Sequence, residues 1–238
     1  MTNDTPAPAP RPTAFGAYGH GWRMLKEYFL ELLLITAAYV ALTLPTAGLW
    51  GDNAAEFLSE YVSFNLIIFK IGGAPGAALF SIAYALLLQA PLAYGIDYAS
   101  LVAARSEVPN IGKLFSAFMN YWNAVLANLL VFAITGMGFV MLIIPGLYFM
   151  VKLSFVSFLV VERKMDAVAA VKESWRMTTG YGWRIFGILM LALPIGLAGL
   201  LFFGVGIIIS IIWFNLAMAT MYHAVAAAKA PSSEVPPM

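Results

Sequence analysis

The chain contains no cysteine, only two histidines, and few charges: Asp, Glu, Lys and Arg together make up 11% of its 238 residues. Without cysteine there are no disulfides, thiolate zinc sites or cysteine nucleophiles, although the redox compartment stays open. His20 and His223 lie far apart in sequence, with no second His or carboxylate at metal-ligand spacing, so no catalytic zinc or di-iron site is expected. A net charge of +1 with no basic block argues against nucleic acid as a partner. There is no G-x-S-x-G, no P-loop and no dinucleotide fingerprint, so neither a catalytic site nor a cofactor is expected.

What is present instead is apolar: 62% hydrophobic residues, against about 45–50% in ordinary soluble domains. From Ile185 to Ala228 the chain carries no Asp, Glu, Lys or Arg. As helix that run would extend roughly 66 Å, about twice the hydrocarbon thickness of a bilayer. Phe203-Gly204-Val205-Gly206 near its middle marks a turn, so the run reads as two spans in a hairpin. Charge-free runs elsewhere place further spans at about residues 30–49, 75–103, 121–143 and 144–161, the last two separated at Pro145-Gly146. The fifth and sixth then cover about 183–203 and 205–227. The expected fold is all-α: a polytopic bundle of six spans as three hairpins. A five-span arrangement with a re-entrant fourth segment is the alternative, because that segment is short and carries Lys152.

Residues 1–24 read as a disordered Pro/Ala-rich tail and interfacial lead-in, 25–228 as the membrane domain, and 229–238 as a second disordered tail. Thr46-Ala47-Gly48 resembles a signal-cleavage site, but Glu31 interrupts the preceding run and more spans follow, so the first helix is expected to be retained. Pro45, Pro91 and Pro194 read as tolerated kinks, and Gly72-Gly73-Ala74-Pro75-Gly76 as a hinge into the second span. Lys and Arg concentrate before the first span, between the second and third, and between the fourth and fifth. The positive-inside rule puts those connections and both termini in the cytoplasm.

The connections expected inside have amphipathic character. Met165, Val168, Val171 and Trp175 recur at helical spacing, among Lys164, Asp166, Lys172, Glu173 and Arg176, which suits a helix in the headgroup region. Leu114, Phe115 and Phe118 do the same on a smaller scale, and Phe57, Leu58, Tyr61 and Phe64 form an outer counterpart. An aromatic lead-in ends at Trp22, Trp122 and Trp183 before three outgoing helices, a weak internal repeat or simply an interfacial belt. With Arg23, Lys172, Trp175, Arg176 and Arg184 these are the candidate contacts to lipid headgroups. Membrane lipids are the expected partners, with protein partners or self-association open.

Inside the spans the polar inventory is short. Asp97 lies about 12 Å and Lys152 about 15 Å from the inner boundary by helical rise, so the two are expected to meet. Asn128 and His223 reach the same zone, and Gln89 extends it outward. This cluster reads either as a cytoplasm-facing polar pocket for a lipid headgroup or small solute, or as an ion pair that holds helices together.

Residues 144–162, with Ile144-Pro145-Gly146 and Lys152, followed by Ser174-Trp175-Arg176 before Thr179-Gly180, resemble a bacterial pattern. It is that of uncharacterised six-span inner-membrane proteins related to the membrane domain fused to some glycerophosphoryl diester phosphodiesterases. The rest of the chain matches in layout only. The resemblance implies a membrane domain without the soluble catalytic barrel, and so no catalytic residues to carry over. Two function classes follow: a non-enzymatic lipid-interacting or scaffolding protein, and a small transporter or channel.

Overall fold

The computed structural model describes residues 12–43, 83–201 and 205–229. The amphipathic stretch around Tyr61, the Gly72–Gly76 hinge, the start of the second span and Phe203-Gly204 lie outside the described residues. Those that are described form helices and short connections, without strand.

Helix α1 (Ala14–Glu27) begins where the Thr13 hydroxyl accepts the Gly16 N–H at 3.2 Å. Its inward face, Ala17, Tyr18, Gly21, Met24 and Leu25, keeps helical spacing and packs on the last helix. The interfacial lead-in is therefore part of the core. α2 (Phe29–Thr43) follows after one residue. A wide π-helical turn, Ala85–Gln89, leads into α3 (Ala90–Ala104). It immediately precedes Pro91, which lacks the N–H for a regular bond four residues back. Gly95 lets the 3₁₀ segment Ile111–Asn120 lie directly on α3, since a Cβ there would overlap the Leu114 carbonyl oxygen.

α4 (Tyr121–Met141) ends at Leu142, a single extended residue, and α5 (Ile143–Leu153) starts at once. The break therefore precedes Pro145-Gly146; Pro145 sits in the first turn of α5, where a backbone N–H would have no helical partner and its absence costs no bond. A second break, which no local signal marks, separates α5 from α6 (Val156–Glu162) at Ser154-Phe155. α7 (Ala167–Thr178) repairs it: the Ser174 hydroxyl accepts the Phe155 N–H at 3.2 Å and donates to the Lys152 carbonyl at 2.8 Å.

α7 also presents a different face from the one its large residues suggest. Ala167, Ala170, Ser174, Met177 and Thr178 are buried, while Val168 and Trp175 point outward. Small side chains allow close approach to α4 and α6, and a pattern built on large apolar residues does not register them. α8 (Gly182–Leu201) and α9 (Val205–Lys229) form the final hairpin. Both described hairpins are pinched by glycine near their turns, Gly138 against Gly146 and Gly199 against Gly206.

Among the described residues four helices are apolar and long enough to cross a membrane: Ile111–Met141, Ile143–Glu162, Gly182–Gly199 and Gly206–Lys229, with Phe29–Thr43 shorter. The chain is an all-α, multi-span membrane bundle.

Candidate functional site

Asp97 projects from α3 into a cavity of about 520 Å³ between the α4/α5 and α8/α9 hairpins. Asn128, Thr135, Ser154 and Asn215 supply its other polar groups, and Phe132, Phe139, Phe158 and Phe214 much of its apolar wall. Ser157 lies beside the Asp97 carboxyl. The Thr135 hydroxyl is buried and has no partner among the described residues. Asp97 and Asn128 are thus brought together as expected; Asn215 and Thr135 join them unforeseen, although Asn215 is the one amide side chain in the charge-free run after Arg184.

Lys152 is not there. Its ammonium donates to Thr179 Oγ1 at 2.9 Å and lies over the rings of Tyr148 and Trp175, 5.5 and 5.4 Å from their centroids. The expected Asp97–Lys152 ion pair does not form. Helical rise fixes depth but not azimuth, and the side of α5 that carries Lys152 faces α7. A second cavity, about 590 Å³, adjoins Lys152 between α5, the end of α7 and the start of α8.

Gln89 is held by the Tyr39 side chain at the α2–α3 contact and does not line the Asp97 cavity. His223 does not line that cavity either; it belongs to a separate polar group beyond Phe158. There Glu162 pairs with Arg105 and accepts the Tyr222 hydroxyl, while Tyr222 stacks on Phe158 at 4.9 Å. His20 adds a contact to the Ala104 carbonyl at 3.0 Å. His223 lies within electrostatic reach of Arg105, Glu162 and His20, and its Nδ1 is buried without a partner among the described residues. This clasp ties α1, α3, α6 and α9, and no spacing rule pointed to it.

The interfacial candidates divide between core and surface. Trp22, Trp122, Trp175 and Trp183 are exposed, Trp183 most of all at 86%. Trp22 also stacks on Trp213, whose Nε1 donates to the Tyr18 carbonyl at 2.9 Å. Burial pushes the Tyr18 hydroxyl up to about 12, so it stays protonated as the donor to the Ile188 carbonyl. Arg23 lies beside His20, Lys172 is exposed, and Arg184 reaches the Pro12 carbonyl at 3.0 Å. Arg176 grips Glu173 at 2.7 and 2.8 Å and, helped by Arg163 and Lys229, holds that carboxyl below its ordinary range. Among the described residues no three His, Cys, Asp or Glu side chains converge on a metal-sized site.

No family model, curated protein or solved structure matches the chain. The assignment the sequence and structure carry on their own is an all-helical protein of several membrane spans.

Proposed function

We propose that this is a non-enzymatic, lipid-interacting protein of a bacterial inner membrane, with six spans in three hairpins and both termini cytoplasmic. In that reading it organises lipid or docks partners through the helical layer built from α1, the 3₁₀ segment and α7. The observation that carries it is the set of exposed tryptophans: Trp22 on α1 and Trp175 on α7, with Trp122 and Trp183 at the starts of α4 and α8, beside the 3₁₀ segment and the end of α7. Exposed tryptophan in water is unfavourable, whereas its apolar body and N–H suit the headgroup boundary. The resemblance in residues 144–162 and 169–180 points the same way, because Lys152, Ser174 and Trp175 from its two parts meet in space.

Fluorescence quenching in lipid nanodiscs tests this reading. Lipids brominated near the headgroup should quench the tryptophans more than lipids brominated at the chain ends, and Ala at positions 22, 122 and 183 should remove most of that preference. Quenching that is independent of depth would overturn the lipid-facing belt.

A second reading, a small transporter, is favoured by the Asp97 cavity alone. A carboxyl and two amides held between hairpins suit a polar solute, and alternating access would move one hairpin against the other. A cysteine at Thr135 reacting with impermeant reagents from both faces would support it, and reaction from neither face would remove it.

A further inference from the structure

Lys152 is 7% exposed and in the fourth span, yet among the described residues it forms no ion pair. Glu173, the carboxylate of the neighbouring helix, is occupied by Arg176 and Arg163. A hydroxyl and two ring faces attract an ammonium but leave its charge uncompensated. A charge withdrawn from water without a counter-ion is costly. A second cation lies close by: Lys229 donates to the Thr179 carbonyl at 3.0 Å and is within electrostatic reach of Lys152 and Arg176. The local field therefore favours an anion.

The adjoining groove suits an amphiphile. Its volume, about 590 Å³, falls within the range of small-molecule pockets, ~300–1,000 Å³. Ile144, Leu147, Val151 and Phe186 give it apolar walls, and Lys152 is the one charged residue lining it. Gly182 leaves its floor open, because a Cβ there would meet nothing nearer than Val151 at 3.8 Å. Trp183, exposed at the mouth, marks the headgroup level. From Lys152 to Ile144 the lining follows the length of α5.

We propose that this groove holds one anionic phospholipid, its phosphate on the Lys152 ammonium and one acyl chain along α5 and α8. The proposal rests on the lipid-interacting reading and assigns it a defined site. A free phosphate would find a single buried ammonium with apolar walls, whereas a lipid satisfies both.

The test uses the full chain in detergent micelles and measures thermal stability on adding phosphatidylglycerol or phosphatidylcholine at equal mole fraction. Phosphatidylglycerol should raise the midpoint more, and Lys152→Met should at least halve that difference. Gly182→Leu, which fills the groove and keeps the ammonium, should do the same and decides the question if Lys152→Met fails to fold. Leu197→Ala, exposed on α8 and outside both the groove and the tryptophan belt, should keep the difference. Full retention of the difference in Gly182→Leu would overturn the proposal, as would equal stabilisation by inorganic phosphate at matched ionic strength. Equal effects of the two lipids on the wild type would overturn this site alone, because the broader reading is decided separately by the depth dependence of tryptophan quenching.

Discussion

The two ends of the bundle are built on different rules. At the end that carries α1, the 3₁₀ segment and α7, α9 is enclosed on all sides: Leu216, Ala217, Ala219, Met221, Tyr222 and Val225 are fully buried. At the other end α4 and α8 stand apart, with Phe132 at 73%, Val140 at 87% and Leu197 at 67% exposure. The first end is packed like the core of a soluble protein and clasped by Arg105, Glu162 and Tyr222. The second relies on glycine pinches within each hairpin and leaves its remaining apolar surface to lipid. Stability should therefore be concentrated at the first end, which the proposed topology makes the inner one, and surface exposed to hydrocarbon at the second.

The largest expected effect concerns which end is which. This Cys-free chain allows single cysteines at Ser59 and Glu173 to be labelled by an impermeant reagent on intact cells. Ser59 should react fully and Glu173 should be protected; the opposite pattern would invert the comparison. Next comes the stability contrast. Tyr222→Ala removes the stack on Phe158 and the bond to Glu162, and should lower unfolding free energy by about 3–5 kcal/mol. Phe132→Ala at the outer end should stay within about 0.5 kcal/mol. Reversible unfolding in mixed micelles measures both, and equal losses would mean that packing is uniform.

Ser174→Ala should fall between them. It leaves the Phe155 N–H at the α5–α6 break without its hydroxyl partner and the Lys152 carbonyl with only the longer Thr178 bond at 3.3 Å, and should cost about 1–3 kcal/mol in the same assay. The smallest effect is electrostatic. Glu173 is held below the ordinary carboxylate value of about 4.3, so its stabilisation is present above that pH and fades as pH falls through the lower, folded value. Glu173→Gln should be slightly less stable than wild type at neutral pH and indistinguishable from it in strong acid. A gap that widens toward acid would reverse the sign of that contribution.

How much of this was legible before the structure follows from what each signal encodes. Charge-free runs report transfer into lipid, so the apolar segments after Tyr121 emerged close to their observed extents. The Leu142 turn was located to within a few residues because Pro145-Gly146 lies beside it. The break at Ser154-Phe155 has no proline or glycine; it depends on a hydroxyl from α7, a tertiary fact that local sequence does not carry. Asp97 and Lys152 were matched in depth by helical rise, yet rotation about the helix axis separates them into two cavities. The buried face of α7 was missed because alanine and serine, although suited to close packing, contribute little to a hydrophobic pattern. Of the expected cluster, Asn128 is the one residue that lines the same cavity as Asp97.

Leu142, the single residue linking α4 and α5, bears on how the protein is made. A connection of one apolar residue presents no hydrophilic segment to be carried across the bilayer. The charge-free connection between α8 and α9 makes the same modest demand, whereas on the proposed six-span topology the segment with Asp52, Glu56 and Glu60 takes three carboxylates through. Biogenesis thus divides into one energetically demanding export step, early in synthesis, and two later hairpins that enter the bilayer already folded back on themselves. In a cell-free insertion assay, depleting the export motor should therefore arrest the first pair of spans and leave insertion of an isolated α8–α9 segment largely intact.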